Sequence, residues 1–316
     1  MLERPWPDGK DFAFTIFDDT DFQTIDNGAP IYALLSDLGL RTTKSVWPIR
    51  GDHTPIIGGA TCEDERYLKW VLSLQAQGFE IALHNVTYHT STRSDTVRGF
   101  ESFHRLFGHD PFSMANHTDC FESIYWGNRR LSGLNEHLYN LLHRNKYKNV
   151  FQGHLESSAL FWGDVCKQKV KYVRNFVFRN INTLKMCPFM PYHDPERPYV
   201  NYWFASSEGP TVTSFNAMLK EENQDRLRNE RGACIMYTHF ACGFIEQGHI
   251  NQRFRRLMER LSKMNGWFVP VSTLLDFILQ GRNHHAGYNH AITSLERNSL
   301  ERKWLWDKLM HASRTT

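Results

Sequence analysis

The chain has 316 residues, 41% hydrophobic and 14% aromatic, with a formal charge of +3 and a pI near 8.5. That length supports one large domain or two ordinary ones with a sizeable core, and so mild a charge, with no Lys/Arg run, argues against nucleic acid as a partner. No stretch reaches about 18 consecutive apolar residues, so no membrane span is expected; the N-terminus lacks an apolar signal segment and the six cysteines form no CxxC pair, so a cytoplasmic protein with reduced cysteines is expected.

Residues 12–17 read as a strand buried on both faces, of the kind found in parallel sheets. Three carboxylates follow at once: Asp18, Asp19 and Asp21. After Asn27–Pro30 comes a helical pattern through Ile31, Leu34, Leu35 and Leu38, stopped by Gly39. Residues 42–49 read as a second strand. Residues 62–77 read as a helix with acids at its start and Gly78 at its end. Residues 79–83 form a third strand, and Thr92 with Asp95 is a capping-box pattern opening a helix closed by Gly108.

Residues 111–115 read as a fourth strand, ending in Asn116 and His117. In the middle, residues 135–145 look helical, and 150–153, 172–178 and 199–205 look like strands. Residues 233–237 are another buried strand, 250–264 an amphipathic helix, 267–271 a last strand, and Ser272 caps a further helix. Strand alternating with helix argues for an α/β fold with a parallel sheet. The expected division is a barrel domain over 1–280 and an appendage over 281–316, made of a loop at 281–287 and a helix.

In a parallel barrel the chemistry sits at the carboxyl ends of the strands. Asp18–Asp19, His84 to His89, and Tyr237-Thr238-His239 would therefore meet at one mouth. Clustered carboxylates need a positive charge or a shared proton among them. An Asp with two His offers O/N ligands for one divalent ion, zinc first, with cobalt, nickel or manganese as others. Such an ion lowers the pKa of bound water and polarises a carbonyl.

Phe17-Asp18-Asp19, followed by the histidines at 84 and 89 and by Tyr237-Thr238-His239, resembles the motif order of the NodB-type polysaccharide deacetylases (carbohydrate esterase family 4). The resemblance covers about residues 10–280. It implies a distorted (β/α) barrel that removes N-acetyl groups from amino sugars with a metal. It also implies Asp18 as general base, Asp19 as metal ligand and His239 as general acid.

The chain departs from that pattern in two places. The family's paired histidines are four apart, whereas His84 and His89 are five apart, about 140° around a regular helix. His89 serves only if residues 85–89 are a loop or bulge, and His117 is the rival third ligand. The family's Arg-x-Pro motif is missing, and Arg93 or Arg174 is left to supply its guanidinium. Asn116, His117, Trp126, Tyr202, Trp203 and Phe240 are candidates for contacting substrate, with core packing as the alternative for the aromatics.

The expected function is removal of an N-acyl group from an amino sugar of a surface glycan, on a nucleotide- or lipid-linked intermediate. A non-catalytic carbohydrate-binding relative and an amidohydrolase acting on a non-sugar C–N bond are the alternatives.

Overall fold

A computed structural model of the chain describes residues 6–283 and 291–312. Most of the expected loop at 281–287 therefore lies outside the described residues. Seven parallel strands close into a barrel: β1 (Phe12–Asp18), β2 (Thr43–Val46), β3 (Glu80–His84), β4 (Ser113–Ala115), β5 (Tyr172–Phe178), β6 (Tyr202–Glu208) and β7 (Ala233–Thr238). They pair in sequence order, and β7 returns to β1 to close the ring. Two short strands, β8 (Ile245–Glu246) and β9 (His249–Ile250), form a separate hairpin.

The barrel is distorted for a reason visible in the register. Strand β1 meets β2 only at its carboxyl end, through Phe17 and Asp18. At its amino end the same edge pairs with β10 (Gly266–Phe268) from Phe12 to Phe14. β10 is thus a wedge between β1 and β2, and Val271 just beyond it donates to the hydroxyl of Thr43 in β2. Every residue of β1 is buried, as expected for a strand with neighbours on both edges and side chains packed on both faces.

Helices α1 (Ile25–Asp37), α2 (Glu65–Ala76) and α3 (Arg93–Phe107) follow the first three strands. Their starts are capped by Thr24, Asp64 and Thr92. Gly108 ends α3 in the left-handed region at φ 79°, where glycine carries no Cβ penalty. The helix expected from Ile31 begins earlier, at Ile25, so Asn27–Pro30 lies within it. After β4 come α4 (Gly133–Leu142) and α5 (Gly163–Lys169); α6 (Thr183–Met186) follows β5, and α7 (Val212–Met218) and α8 (Glu221–Asn229) follow β6. The strand expected at 150–153 is loop. Helices α9 (Gln252–Ser262) and α10 (Val271–Asn283) flank β10, and α11 (Ser294–Ala312) packs Trp304 against Tyr139 of α4 and Phe176 of β5. Among the described residues no helix is long and apolar enough to cross a membrane.

Candidate metal centre

Asp19 continues the β1–β7 pairing by one residue, its N–H donating to Thr238 O at 2.8 Å. The chain then turns sharply at Phe22, which takes φ 57°, and Gln23 N closes the turn on Thr20 O. The three carboxylates end up in three different surroundings.

Asp18 is fully buried. Its Oδ2 accepts from Gln23 Nε2 and from the Tyr32 hydroxyl, both at 2.9 Å, and its Oδ1 accepts from Phe240 N at 2.9 Å. Burial pushes its pKa up; the charge of Lys44 and these three donors oppose that. Lys44 is itself wholly buried, and burial lowers its pKa to about 8. Asp19 is gripped by Arg174, with Nη1 on Oδ1 at 2.9 Å and Nη2 on Oδ2 at 2.5 Å. The guanidinium also lies 4.4 Å from the Tyr237 ring centroid.

Asp21 faces three histidines. Its Oδ1 is 3.0 Å from His84 Nε2 and 3.7 Å from His117 Nε2, and its Oδ2 is 3.3 Å from His239 Nε2. Burial raises the Asp21 pKa, but the three histidines outweigh it and hold the carboxyl well below the usual range. Burial, helped by the neighbouring His84, lowers His117 to about 4, so its ring is neutral. Burial also lowers His239, but its hydrogen bond to Asp21 and the charges of Asp19 and Asp21 prevail and lift it to about 9.

These residues suit a divalent cation. Ligand atoms of Asp21, His84 and His117 all lie within 4.8 Å of one another. His84 Nδ1 sits 3.1 Å from Ala115 O, so in the neutral ring Nδ1 carries the proton and the Nε2 lone pair faces a carboxylate oxygen. Two acceptors at 3.0 Å repel unless a proton or cation lies between them. Neither Asp21 Oδ1 nor His117 Nε2, both buried, makes a hydrogen bond, and a buried polar atom left so is costly. Trp47 fixes both rings: its Nε1 donates to His84 O at 2.8 Å, and it stacks on His84 and meets His117 edge-on.

Of the expected site residues, Asp19, His84, His117 and His239 come together at the mouth, joined by Asp21. His89 does not join them. Asn85 takes φ 50° directly after His84, and the loop carries His89 to a different group, 3.1 Å from Asp52 Oδ1 and stacked on His53 at 3.9 Å. Asp18 is enclosed by donors and has no face open to a substrate. Arg174 holds Asp19, whereas Arg93 pairs with Asp164 at the surface.

The residues expected to contact substrate lie as follows. Tyr202 and Trp203 open β6, at the end of the barrel away from the mouth, and Trp203 is only 1% exposed. Phe240 is fully buried among Tyr32, Phe244 and Phe254. Asn116 is occupied in closing its loop on the backbone of Ile124. Trp126 is half-buried beneath the Arg130 guanidinium, 4.2 Å away. Reading the chain alone undervalued Asp21; the signal was a third carboxylate two residues past Asp19. Nothing local marked Tyr32, Gln23 or Lys44 as the partners that enclose Asp18.

No family model matches the chain, and no curated protein matches it. Similar solved structures include a Mycobacterium smegmatis protein described as a polysaccharide deacetylase, at 14% identity over 92% of this chain and 96% of that one, with a TM-score of 0.47. PuuE allantoinase is 12% identical over 91% and 96% of the two chains, TM-score 0.49. A Pseudomonas aeruginosa PAO1 protein described as a polysaccharide deacetylase is 11% identical over 90% and 95%, TM-score 0.47. Likenesses this distant carry no argument about activity, which rests on the chain's own geometry.

Proposed function

We propose that this chain is a metal-dependent hydrolase that cleaves a C–N bond, removing an N-acyl group from an amino sugar of a surface glycan. The observation that carries the reading is the convergence of Asp21, His84 and His117, with Asp21 Oδ1 and His117 Nε2 left buried and without hydrogen bonds. In this reading Asp21, His84 and His117 hold one divalent ion, zinc before cobalt, nickel or manganese. When bound, the ion supplies a Lewis acid and a water of lowered pKa.

The remaining work falls to the chain's own groups. Asp19 takes the role of proton acceptor, because Arg174 fixes its carboxylate 4.0 Å from His84 Nε2. His239 takes the role of proton donor to the leaving amine. Its Nδ1 lies 3.0 Å from Pro210 O, which fixes the ring, and its Nε2 carries the other proton at the edge of the cluster. A cleft of about 580 Å³ opens one layer away, past Tyr88, which packs edge-on against Trp47. Thr24, Arg50, Thr54, Thr61 and Asp64 give it a polar lining that suits a hydroxyl-rich substrate.

The test is metal content together with acyl release. The parent and a His89→Ala variant should each bind one zinc per chain. Asp21→Ala, His84→Ala and His117→Ala should each lose it, by more than the 10–100-fold typical of outer-shell changes. Acetate and formate release is then measured on chitin oligomers and on nucleotide- and lipid-linked N-acyl amino sugars, with and without chelator. Chelator-sensitive release from the linked sugars, and none from chitin oligomers, is expected. Full zinc occupancy in the His117→Ala variant would overturn the ligand set. Unchanged release under chelator would overturn the metal-dependent reading.

A further inference from the structure

Helix α4 is built inside out. Its buried face carries Asn135, Tyr139 and Asn140. Asn135 Nδ2 donates to Asn298 Oδ1 and Glu301 Oε2, and Tyr139 stacks on Trp304. Its outer face carries leucines: Leu134, Leu138, Leu141 and Leu142 are 79%, 41%, 74% and 45% exposed. At about 100° per residue these four fall within one arc of roughly 100°. A helix on the surface of a water-soluble domain shows the opposite arrangement, so this stripe calls for a partner.

The chain beyond α4 says which kind. Arg144, Lys146 and Lys148 are all exposed, and no Asp or Glu occurs from residue 137 through 155. The cations are not on a free tether, because Tyr147 between them packs against His143 and Tyr139. Helix α11 runs alongside α4 in the same direction, since Asn135 meets Asn298 and Tyr139 meets Trp304. Asp307, further along α11, accepts from Arg179 N just past the end of β5. The leucines and cations at the end of α4 therefore sit towards the mouth of the barrel.

We propose that α4 and the loop after it dock on the surface of an anionic lipid bilayer, leucines in the acyl boundary and cations at the headgroups. A second copy of the chain suits the patch less well. A two-fold interface sets a patch against itself, and here that brings two acid-free basic loops together. Docking at the surface needs no spanning helix, and it holds whether or not the hydrolase reading does, because the test uses no substrate.

The experiment is co-sedimentation of the full chain with vesicles, either of phosphatidylcholine alone or of phosphatidylcholine and phosphatidylglycerol in equal parts. Binding to the mixed vesicles, and not to the neutral ones, is expected, with weakening as salt rises. Each cation is worth about fivefold, so Arg144→Gln/Lys146→Gln/Lys148→Gln together should cost roughly 100-fold. Leu138→Gln/Leu141→Gln should also release the protein. All these residues are exposed, so the melting temperature should stay put and serves as the folding control. No binding to anionic vesicles overturns the proposal, as does binding that neither variant weakens. A dimer in solution that Leu138→Gln/Leu141→Gln dissociates also overturns it, in favour of self-association.

Discussion

Asp18→Asn should be a stability mutation with the metal site left intact. Three donors converge on this one carboxylate: Gln23 Nε2, the Tyr32 hydroxyl and Phe240 N. An asparagine keeps one oxygen for Phe240 N and turns an amide nitrogen towards the two remaining donors. Hydrogen bonds to a charged group are worth about 1.5–3 kcal/mol and neutral ones about 0.5–1.5. Weakening three of them costs about 3 kcal/mol. Loss of the charge that faces the buried Lys44 acts in the same direction. With a urea m-value of about 3 kcal/mol/M for a chain of this size, the midpoint should fall by about 1 M. Zinc per chain, measured on the folded variant, should equal the parent's. An unchanged midpoint combined with lost turnover would refute this reasoning and return Asp18 to the role of general base.

Arg174→Met strands the buried Asp19 carboxylate and should cost about 3–5 kcal/mol; Arg174→Met/Asp19→Asn should recover part of that in urea unfolding, and a double variant as unstable as the sum of the two singles argues against a coupled pair. Burial raises the Glu122 carboxyl to about 7 from an ordinary 4.5. The folded state therefore favours the protonated form, and stability falls as pH rises from about 4.5 through 7. The loss is about 3 kcal/mol by linkage. Glu122→Gln should flatten that slope in unfolding curves taken across the range, and an unaltered slope rules Glu122 out as its source. Gly51→Ala would put a Cβ within 1.9 Å of His89 Nε2, so it should displace His89 from His53 while zinc binding stays at parental affinity; a loss of zinc would return His89 to the ligand set.

The alternation of strand and helix was legible because strands such as β1 and β7 are short, largely apolar runs and the early helices carry clear caps. His84 and His117 were legible for the same reason, since each closes or directly follows a strand. The middle of the chain was less so. Helix α8 buries only Gln224 and Leu227, too few apolar positions for periodicity to show. Residues 150–153 have the composition of a strand, with Phe151 buried. Their hydrogen bonds go to loops instead: Gln152 N to Phe121 O, and Trp162 N to Gly153 O. The fate of His89 turned on one backbone angle, the positive φ of Asn85, which no side-chain pattern announces.

The assignment of the carboxylates turns on parity. Successive residues along a strand point to opposite faces, so adjacent Asp18 and Asp19 cannot both look into the barrel mouth. Phe17 marks the inner face, because its ring lies 5.1 Å from the Arg174 guanidinium. Asp19, two residues on, meets the same Arg174, while Asp18 turns to Tyr32 of α1 in the outer layer. In a half-exposed strand the polar residues reveal which parity faces where. Strand β1 is buried on both faces from end to end, so hydrophobicity carries no parity signal and two neighbouring aspartates look interchangeable. They are not: the inner one is occupied by an arginine fork, and in the reading proposed above the cation falls to Asp21, beyond the turn, where three histidines meet it.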